Sequence, residues 1–454
     1  MKIKTRIAFP VLLVLVFAVH IIQLLFALGP ISASSKIVKI DRFSNVGLVK
    51  SEKEDADQLT EADIEKMVNQ AIESAGGFQD VIKPGGTVII KVNLVDTMKD
   101  TLKPEVNGVT VDWRVTRAVV KRALASGAGN VFIIEGSVRP TKKVFQYMGY
   151  GRIKEIPESN LIALEEDVKT DGKLDYNKLE RFEIRDGLIK RVYYVDRRLL
   201  EADVLISIAA LKTHRRIALT GSVKNIGIGC YPALVEPNPI TRESFPNDRG
   251  GFINHRPVPL SRWITDYYSL IPAKFAVIDG LQGAQNGPLP VDVNDRNMNM
   301  RTVIAGADPV AVDTVACLVM GIDPRSALYL KMLEKKGLGV TDPGRIRVIG
   351  ERVDIIRKFF KTLYGKSIPK NRSLNIGIID EKKEDDGLKV SFNVKSSHEI
   401  ARIELWVNGH AKEVYDKETR RIVIDKSLLS AQLSLKVYNT YLDENEVKVG
   451  RLND

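Results

Sequence analysis

The sequence predicts an α/β fold: a parallel or mixed sheet with helices on both faces, a small all-β sandwich at the C-terminus, and an N-terminal transmembrane helix. Three observations predict it. Short apolar runs alternate with amphipathic helical patterns from about Val46 to Gly350, the rhythm of a parallel sheet covered on both sides. After Pro369 the helical pattern stops and strand-like alternation takes over. Near the start, an apolar run from Ile7 to Leu28 follows Lys2, Lys4 and Arg6. That run approaches the roughly 20 residues a membrane helix needs. The expected division is therefore an anchor or signal segment over 1–35, an α/β domain over 36–369 and a β module over 370–454.

The elements follow in order. "NVGLVKS" reads as a first strand ending near Lys50. Thr60 then caps a helix with Asp63 in the capping-box position, and Ile64, Met67, Val68, Ala71 and Ile72 form its apolar face. Gly76 and Gly77 end it. "TVIIKV", "NVFIIEGS", "ADVLISIAA", "AKFAVIDG" and "MRTVIAG" are strands, and "VTRAVVKRALASGAG" is an amphipathic helix. "GLQGAQNGP" reads as a flexible loop able to cover a site. "DPVAVDTVACLVMGID" and "RSALYLKMLEKKGLG" are helices, and "RIRVIGE" is the last strand of the domain. The stretch from Val138 to Leu200 is a charged insertion with short strands such as "KRVYYVD". Beyond Pro369, "IARIELWVNGHAKEVY" looks like the strand–turn–strand of bacterial immunoglobulin-like accessory modules, with Asn408-Gly409 as its hairpin turn.

Composition narrows the function classes. The chain has 454 residues, 44% hydrophobic and 28% charged, with a formal charge of +11. Lys and Arg are dispersed among Asp and Glu, with no basic stripe interleaved with aromatics, so no nucleic-acid partner is expected. The two cysteines, Cys230 and Cys317, are too few for an iron–sulfur cluster or a tetrathiolate zinc site, and read as buried apolar thiols. The basic flank of the apolar run keeps that end in the cytoplasm. The expected location is a single-pass membrane protein with its body outside the cytoplasm, or a secreted one after cleavage near Ser32, Ala33 and Ser34.

Ligands of open α/β sheets bind beyond the carboxyl ends of the strands. There the chain places Lys91 and Asn93, Glu135 and Ser137, Lys212, Thr213 and His214, Asp279, and Asp308. His214 can move a proton near neutral pH, and Lys212 and Lys224 can hold a carboxylate or phosphate. These three are the candidate catalytic residues. Lys91, Asn93, Glu135, Thr213, Thr220, Asn225 and Gly280 are candidate substrate contacts. Asp279, Asp308 and Asp313 could hold a divalent hard cation, although Asp308-Pro309 is equally a standard helix start. The glycines of "KNIGIG" would let backbone approach a ligand. No GxGxxG follows the first strand, and neither GxSxG nor HExxH occurs.

Five segments together resemble the family known as domain of unknown function 362. They are "GGFQDVIKPGGTVIIKVNLV", "VTRAVVKRALASGAGNVFIIEGS", "LISIAALKTHRRIALTGSVKNIGIG", "FAVIDGLQGAQNGP" and "VIAGADPVAVDTVACLVMGID". The Lys-Thr-His and Thr-Gly-x-x-Lys-Asn pieces are the most specific. The resemblance implies site positions at Lys91, Asn93, Lys212, Thr213, His214, Thr220, Lys224, Asn225, Asp279, Gly280, Asp308 and Asp313. Relatives often carry a ferredoxin-type iron–sulfur segment, whose cysteines this chain lacks. The expected function is an enzyme, tethered outside the cytoplasm, that acts on a small anionic molecule or a cell-envelope component. The alternatives are a ligand-binding or scaffold protein and an oxidoreductase partner with its cofactor supplied in trans. Group transfer, hydrolysis and isomerisation all fit.

Overall fold

A computed structural model describes residues 43–96, 101–232 and 253–450. Strand β1 (Ser44–Lys50) leads into helix α1 (Glu61–Ser74). Strand β2 (Thr87–Lys91), helix α2 (Trp113–Ala125), strand β3 (Asn130–Glu135), helix α3 (Thr141–Tyr147) and strand β4 (Leu161–Ala163) follow. The charged insertion holds two small hairpins, β5 (Lys169–Thr170) with β6 (Lys173–Leu174) and β7 (Leu179–Glu183) with β8 (Val192–Asp196). Next come β9 (Val204–His214), β10 (Ala218–Leu219), α4 (Gly221–Gly227), α5 (Pro257–Leu270) and β11 (Phe275–Ala284). The α/β part ends with β12 (Thr302–Gly306), α6 (Pro309–Val319), α7 (Leu328–Lys335) and β13 (Ile346–Gly350).

These strands build one mixed sheet in the order β13-β1-β12-β11-β9-β2-β3-β4, with β10 folded back on β9. Strands β11, β9, β2, β3 and β4 are mutually parallel. Strand β12 runs antiparallel between β11 and β1. Alternation sends Ile89, Leu205 and Ile278 to one face, against α4, α5, α6 and α7. Val88, Ile206 and Val277 go to the other face, against α1 and α2. The α1 capping box forms as expected, with Thr60 and Asp63 satisfying each other's backbone N–H groups. Gly77 closes the helix by donating its N–H to the Ile72 carbonyl. Cys230 and Cys317 are both buried, and neither forms a disulfide.

Three sequence expectations need correction. The membrane helix is the first. Among the described residues no helix is long and apolar enough to cross a membrane. The longest, α1 and α5, have 14 residues each, about 21 Å at 1.5 Å per residue, short of the roughly 30 Å hydrocarbon layer. Residues 1–35, on which the expectation rested, lie outside the described residues. The membrane tether, the single-pass topology and the placement of the body outside the cytoplasm rested on that helix and fall with it. The second concerns "GLQGA", read as a mobile cover. It is the buried second half of β11. The third concerns the Pro- and Asn-rich stretch from Tyr231 to Pro259, which by sequence reads as a loop; its last three residues begin α5, where the prolines occupy the first turn and no N–H is needed.

Beyond Pro369 the chain forms strands β14 (Leu374–Glu384), β15 (Gly387–Ser396), β16 (Ile400–Val407), β17 (His410–Tyr415), β18 (Arg421–Asp425), β19 (Leu433–Asn439) and β20 (Glu444–Val449). They make two antiparallel sheets, β14-β15-β18 and β17-β16-β19-β20. Between them lies a hydrophobic cluster that includes Val390, Phe392, Leu405 and Val437. Asn408 and Gly409 both have positive φ, 50° and 81°, as the hairpin turn requires. Tyr441 and Leu442 reach into the core of the α/β part. Beside them, Asp443 pairs with Arg357, whose side chain is 1% exposed, and with Arg372.

Candidate active site

The floor of the site is a closed polar network at the carboxyl ends of β2, β3 and β9. Lys91 ends β2 and is fully buried. Its Nζ donates to the Val92 carbonyl at 2.7 Å, Glu135 Oε1 at 2.9 Å and Asn225 Oδ1 at 3.1 Å. All three ammonium protons therefore have acceptors. Glu135 also accepts the N–H groups of Leu94 and Gly136. Asn225 donates from Nδ2 to the carbonyls of Lys91 and Ile208 and to Ser207 Oγ. Those acceptors set its amide orientation, so Oδ1 must face Lys91 and Asn93. Gly229 belongs to this floor. A Cβ there would lie 2.7 Å from Lys91 Nζ, so the glycine of "KNIGIG" admits an internal ammonium rather than a ligand.

Above the floor, β9 outruns its neighbours and β10 pairs back on it, Ala218 against His214 and Leu219 against Thr213. Side chains two apart on a strand share a face, so Lys212 and His214 point together. Thr213 points the other way and accepts the N–H of Gly287 at 2.9 Å. Lys212 Nζ donates to the Val109 carbonyl at 2.6 Å, and the side chain is 1% exposed. Burial first, then the Lys224 charge, push its pKa down to about 7 against the pull of Glu135. His214 Nδ1 accepts the N–H of Arg216 at 3.2 Å, which leaves the proton of the neutral ring on Nε2. Burial holds the ring well below its ordinary pKa, and the charges of Lys224, His255, Lys212 and Arg215 act in the same direction. At neutral pH the imidazole is uncharged.

Lys224 is half-buried on α4, and the start of that helix explains the Thr-Gly-x-x-Lys-Asn spacing. Gly221 has φ +62°, and a Cβ on it would meet Asp313 Oδ2 at 2.4 Å. The Asp313 carboxylate, on α6, accepts the N–H of Ser222 at 2.7 Å and of Val223 at 3.0 Å, and the Ser222 hydroxyl at 2.8 Å. It thus anchors the first turn of the helix that carries Lys224 and Asn225. Burial pushes Asp313 up to about 7 against those hydrogen bonds. Among the described residues, three buried side-chain oxygens at these strand ends have no hydrogen-bond partner: Thr220 Oγ1, Asn93 Oδ1 and Ser137 Oγ.

The three aspartates expected to hold a cation are dispersed. Because β12 is antiparallel to β11, its Gly306 pairs with Ala276 at the start of β11. Asp308, just beyond, therefore sits at the opposite edge of the sheet from Asp279. It caps α6 through the N–H groups of Val310 and Ala311, and accepts the Ser44 hydroxyl and the Val340 N–H. Asp279 accepts the N–H groups of Asp112 and Leu281. Burial, then the charge of Asp112, raise it to about 7. Among the described residues no three His, Cys, Asp or Glu side chains group to hold a metal ion. Gly280 serves packing, since a Cβ would fall 2.8 Å from the Thr302 carbonyl.

Sequence reasoning missed Asp112, His255 and the Val109 carbonyl. Asp112 was detectable as an N-cap before "WRVTRAVV", and it does cap α2. His255 opposes protonation of His214 electrostatically, a pairing that no local pattern reveals.

Residues 88–318 match the family model described as domain of unknown function (DUF362). The chain belongs to this family. The matched span carries all the strand ends that bear candidate site residues, from Lys91 to Asp308. The chain is also similar to a thylakoid-associated protein of Synechocystis sp., 21% identical over 306 residues, 65% of this chain and 81% of that one. Among solved structures it is similar to the lactate racemase apoprotein from Thermoanaerobacterium thermosaccharolyticum: 14% identity, TM-score 0.31, 56% of this chain and 55% of that one. The ZmpB metallopeptidase from Clostridium perfringens is similar at 16% identity and TM-score 0.16, over 30% of this chain and 26% of that one. At these TM-scores neither likeness carries an argument about this chain.

Proposed function

We propose that this DUF362 protein is an enzyme that acts on a small anionic molecule at Lys212, His214 and Lys224. One observation carries the reading. Lys212 is a buried amine with one acceptor, a backbone carbonyl, among the described residues, on the same strand face as a neutral histidine, within the field of a second lysine. An amine whose pKa lies near neutrality can both take and give a proton at working pH. Lys224 supplies the positive charge that would hold an anion. Thr220 and Asn93, each with an unpartnered buried oxygen, are the substrate contacts this reading keeps. Lys91, Glu135 and Asn225 form the support beneath. Asp313 positions α4 and is not assigned a metal.

The division into an α/β body over 36–369 and a β module over 370–454 belongs to the same proposal. The separate hydrophobic cluster of the two C-terminal sheets supports it, and their strand–turn–strand pattern is of the immunoglobulin-like kind. The test is a thermal-shift screen of small carboxylates and phosphates on the parent and on Lys224→Met. At least one anion raises the melting temperature of the parent and not of the variant. No rise with any anion, or an equal rise in both, overturns the reading.

A further inference from the structure

We propose that the Lys212 amine is a covalent nucleophile, which condenses with the carbonyl carbon of a small anion bearing a ketone or aldehyde. This rests on the anion site proposed above and names its substrate class.

The chain provides its own control, because two lysines at this edge of the sheet are equally buried and differently served. Lys91 has three acceptors for three protons, one a carboxylate at 2.9 Å. Lys212 has one, the Val109 carbonyl, and no carboxylate within ion-pair distance among the described residues. A buried ammonium needs its protons met. Lys91 is built as an ammonium. Lys212 is built as an amine: one N–H goes to Val109 and the lone pair on nitrogen stays available. A lysine beside another cation in a desolvated site is the usual way an amine nucleophile is made at neutral pH.

The surroundings suit a carbonyl. Thr220, whose buried hydroxyl has no partner among the described residues, donates its backbone N–H to the Lys212 carbonyl at 3.0 Å, which sets the two residues' backbones side by side. His214, two residues along β9 and about 7 Å away along the strand, carries a proton on Nε2. Lys224 would hold the anionic group. In the reaction the Lys212 lone pair forms a bond to the carbonyl carbon, and the carbonyl oxygen takes the proton of His214 Nε2. The new nitrogen centre returns a proton to His214. The remaining nitrogen proton then passes through His214 to the hydroxyl as the carbon–oxygen bond breaks and the nitrogen–carbon double bond forms, and the oxygen leaves as water. Amine and carbonyl compound give imine and water, with no oxidant or reductant. The imine draws electrons from the neighbouring carbon, where a bond can then be broken.

The experiment uses the full chain, incubated at pH 7 with pyruvate, glyoxylate or 2-oxoglutarate and sodium cyanoborohydride, which reduces an imine to a stable secondary amine. Peptide mass mapping follows labelling at each lysine over time. An exposed lysine is uncharged in under about one part in a thousand at this pH, so Lys212 should be labelled at least about tenfold faster than any surface lysine. Lys212→Arg should remove that fast phase, with circular dichroism confirming its fold. Labelling at Lys212 no faster than elsewhere overturns the proposal, and needs no variant to read. Malonate and phosphate, which have no reactive carbonyl, separate the two ideas. If they stabilise the parent through Lys224 while Lys212 stays unlabelled, the covalent step is wrong and the anion site stands. If they do not, and no keto acid labels Lys212, both fail.

Discussion

Replacing Lys212 by methionine converts the buried amine into a measurable stability difference. The variant keeps the side chain's length and apolar stem and loses one hydrogen bond to Val109, worth about 1 kcal/mol. It also removes an ionisable group whose pKa falls from 10.5 to about 7 on folding. Below pH 7 both states carry the ammonium, and folding bears the cost of burying it. Between pH 7 and the ordinary lysine value the folded protein has released the proton and the unfolded chain has not. Stability therefore rises with pH there, by 1.36 kcal/mol per unit at most. The methionine variant lacks this dependence. The parent should gain about 3 kcal/mol on the variant between pH 6 and pH 9, from a full span of about 5 kcal/mol. Urea denaturation of both proteins at pH 6, 7, 8 and 9 reads it directly. A difference that stays constant across that range would show that Lys212 remains an ammonium, and the proposed proton transfer and imine chemistry would lose their basis.

Other substitutions probe the supports. Gly221→Ala forces a Cβ to within 2.4 Å of Asp313 at a left-handed φ of +62°. The conformation alone costs about 1–2 kcal/mol, so melting should fall and any anion-induced shift should vanish with the displaced α4. Asp313→Asn removes a carboxylate that folding raises from 3.8 to about 7. The stability from that raised pKa is present below pH 3.8 and lost as pH rises through 7. The parent should lose about 4 kcal/mol relative to the variant between pH 4 and pH 8, and equal pH profiles would refute the burial argument. Asp443→Ala strands Arg357, whose side chain is 1% exposed. Breaking such a pair costs about 3–5 kcal/mol, and an unchanged melting temperature and proteolysis pattern would show that Asp443 does not hold the C-terminal sheets to the α/β part.

Local patterns in the chain carried much of this. Thr60 and Asp63, Gly77 and Asp308-Pro309 act where the sequence places them, because a cap is settled by neighbours within a few residues. The strand ends bearing Lys91, Glu135 and Lys212 are read equally well, since a short continuous apolar run marks both a buried strand and its limit. Periodicity says which side of a strand is apolar, and nothing about its neighbours or direction. Only the tertiary structure decided that β12 runs antiparallel and takes Asp308 to the far edge. The same holds for Gly229, whose near neighbour is Lys91, and Gly221, whose near neighbour is Asp313, 138 and 92 residues away in sequence. The sharpest case is the pair of buried lysines. Sequence made Lys91 and Lys212 alike, each at the end of a strand. What separates them is how many acceptors the folded chain brings to each nitrogen, three against one. That count depends on Glu135, Asn225 and Val109, which reach those nitrogens only when distant strands are laid side by side.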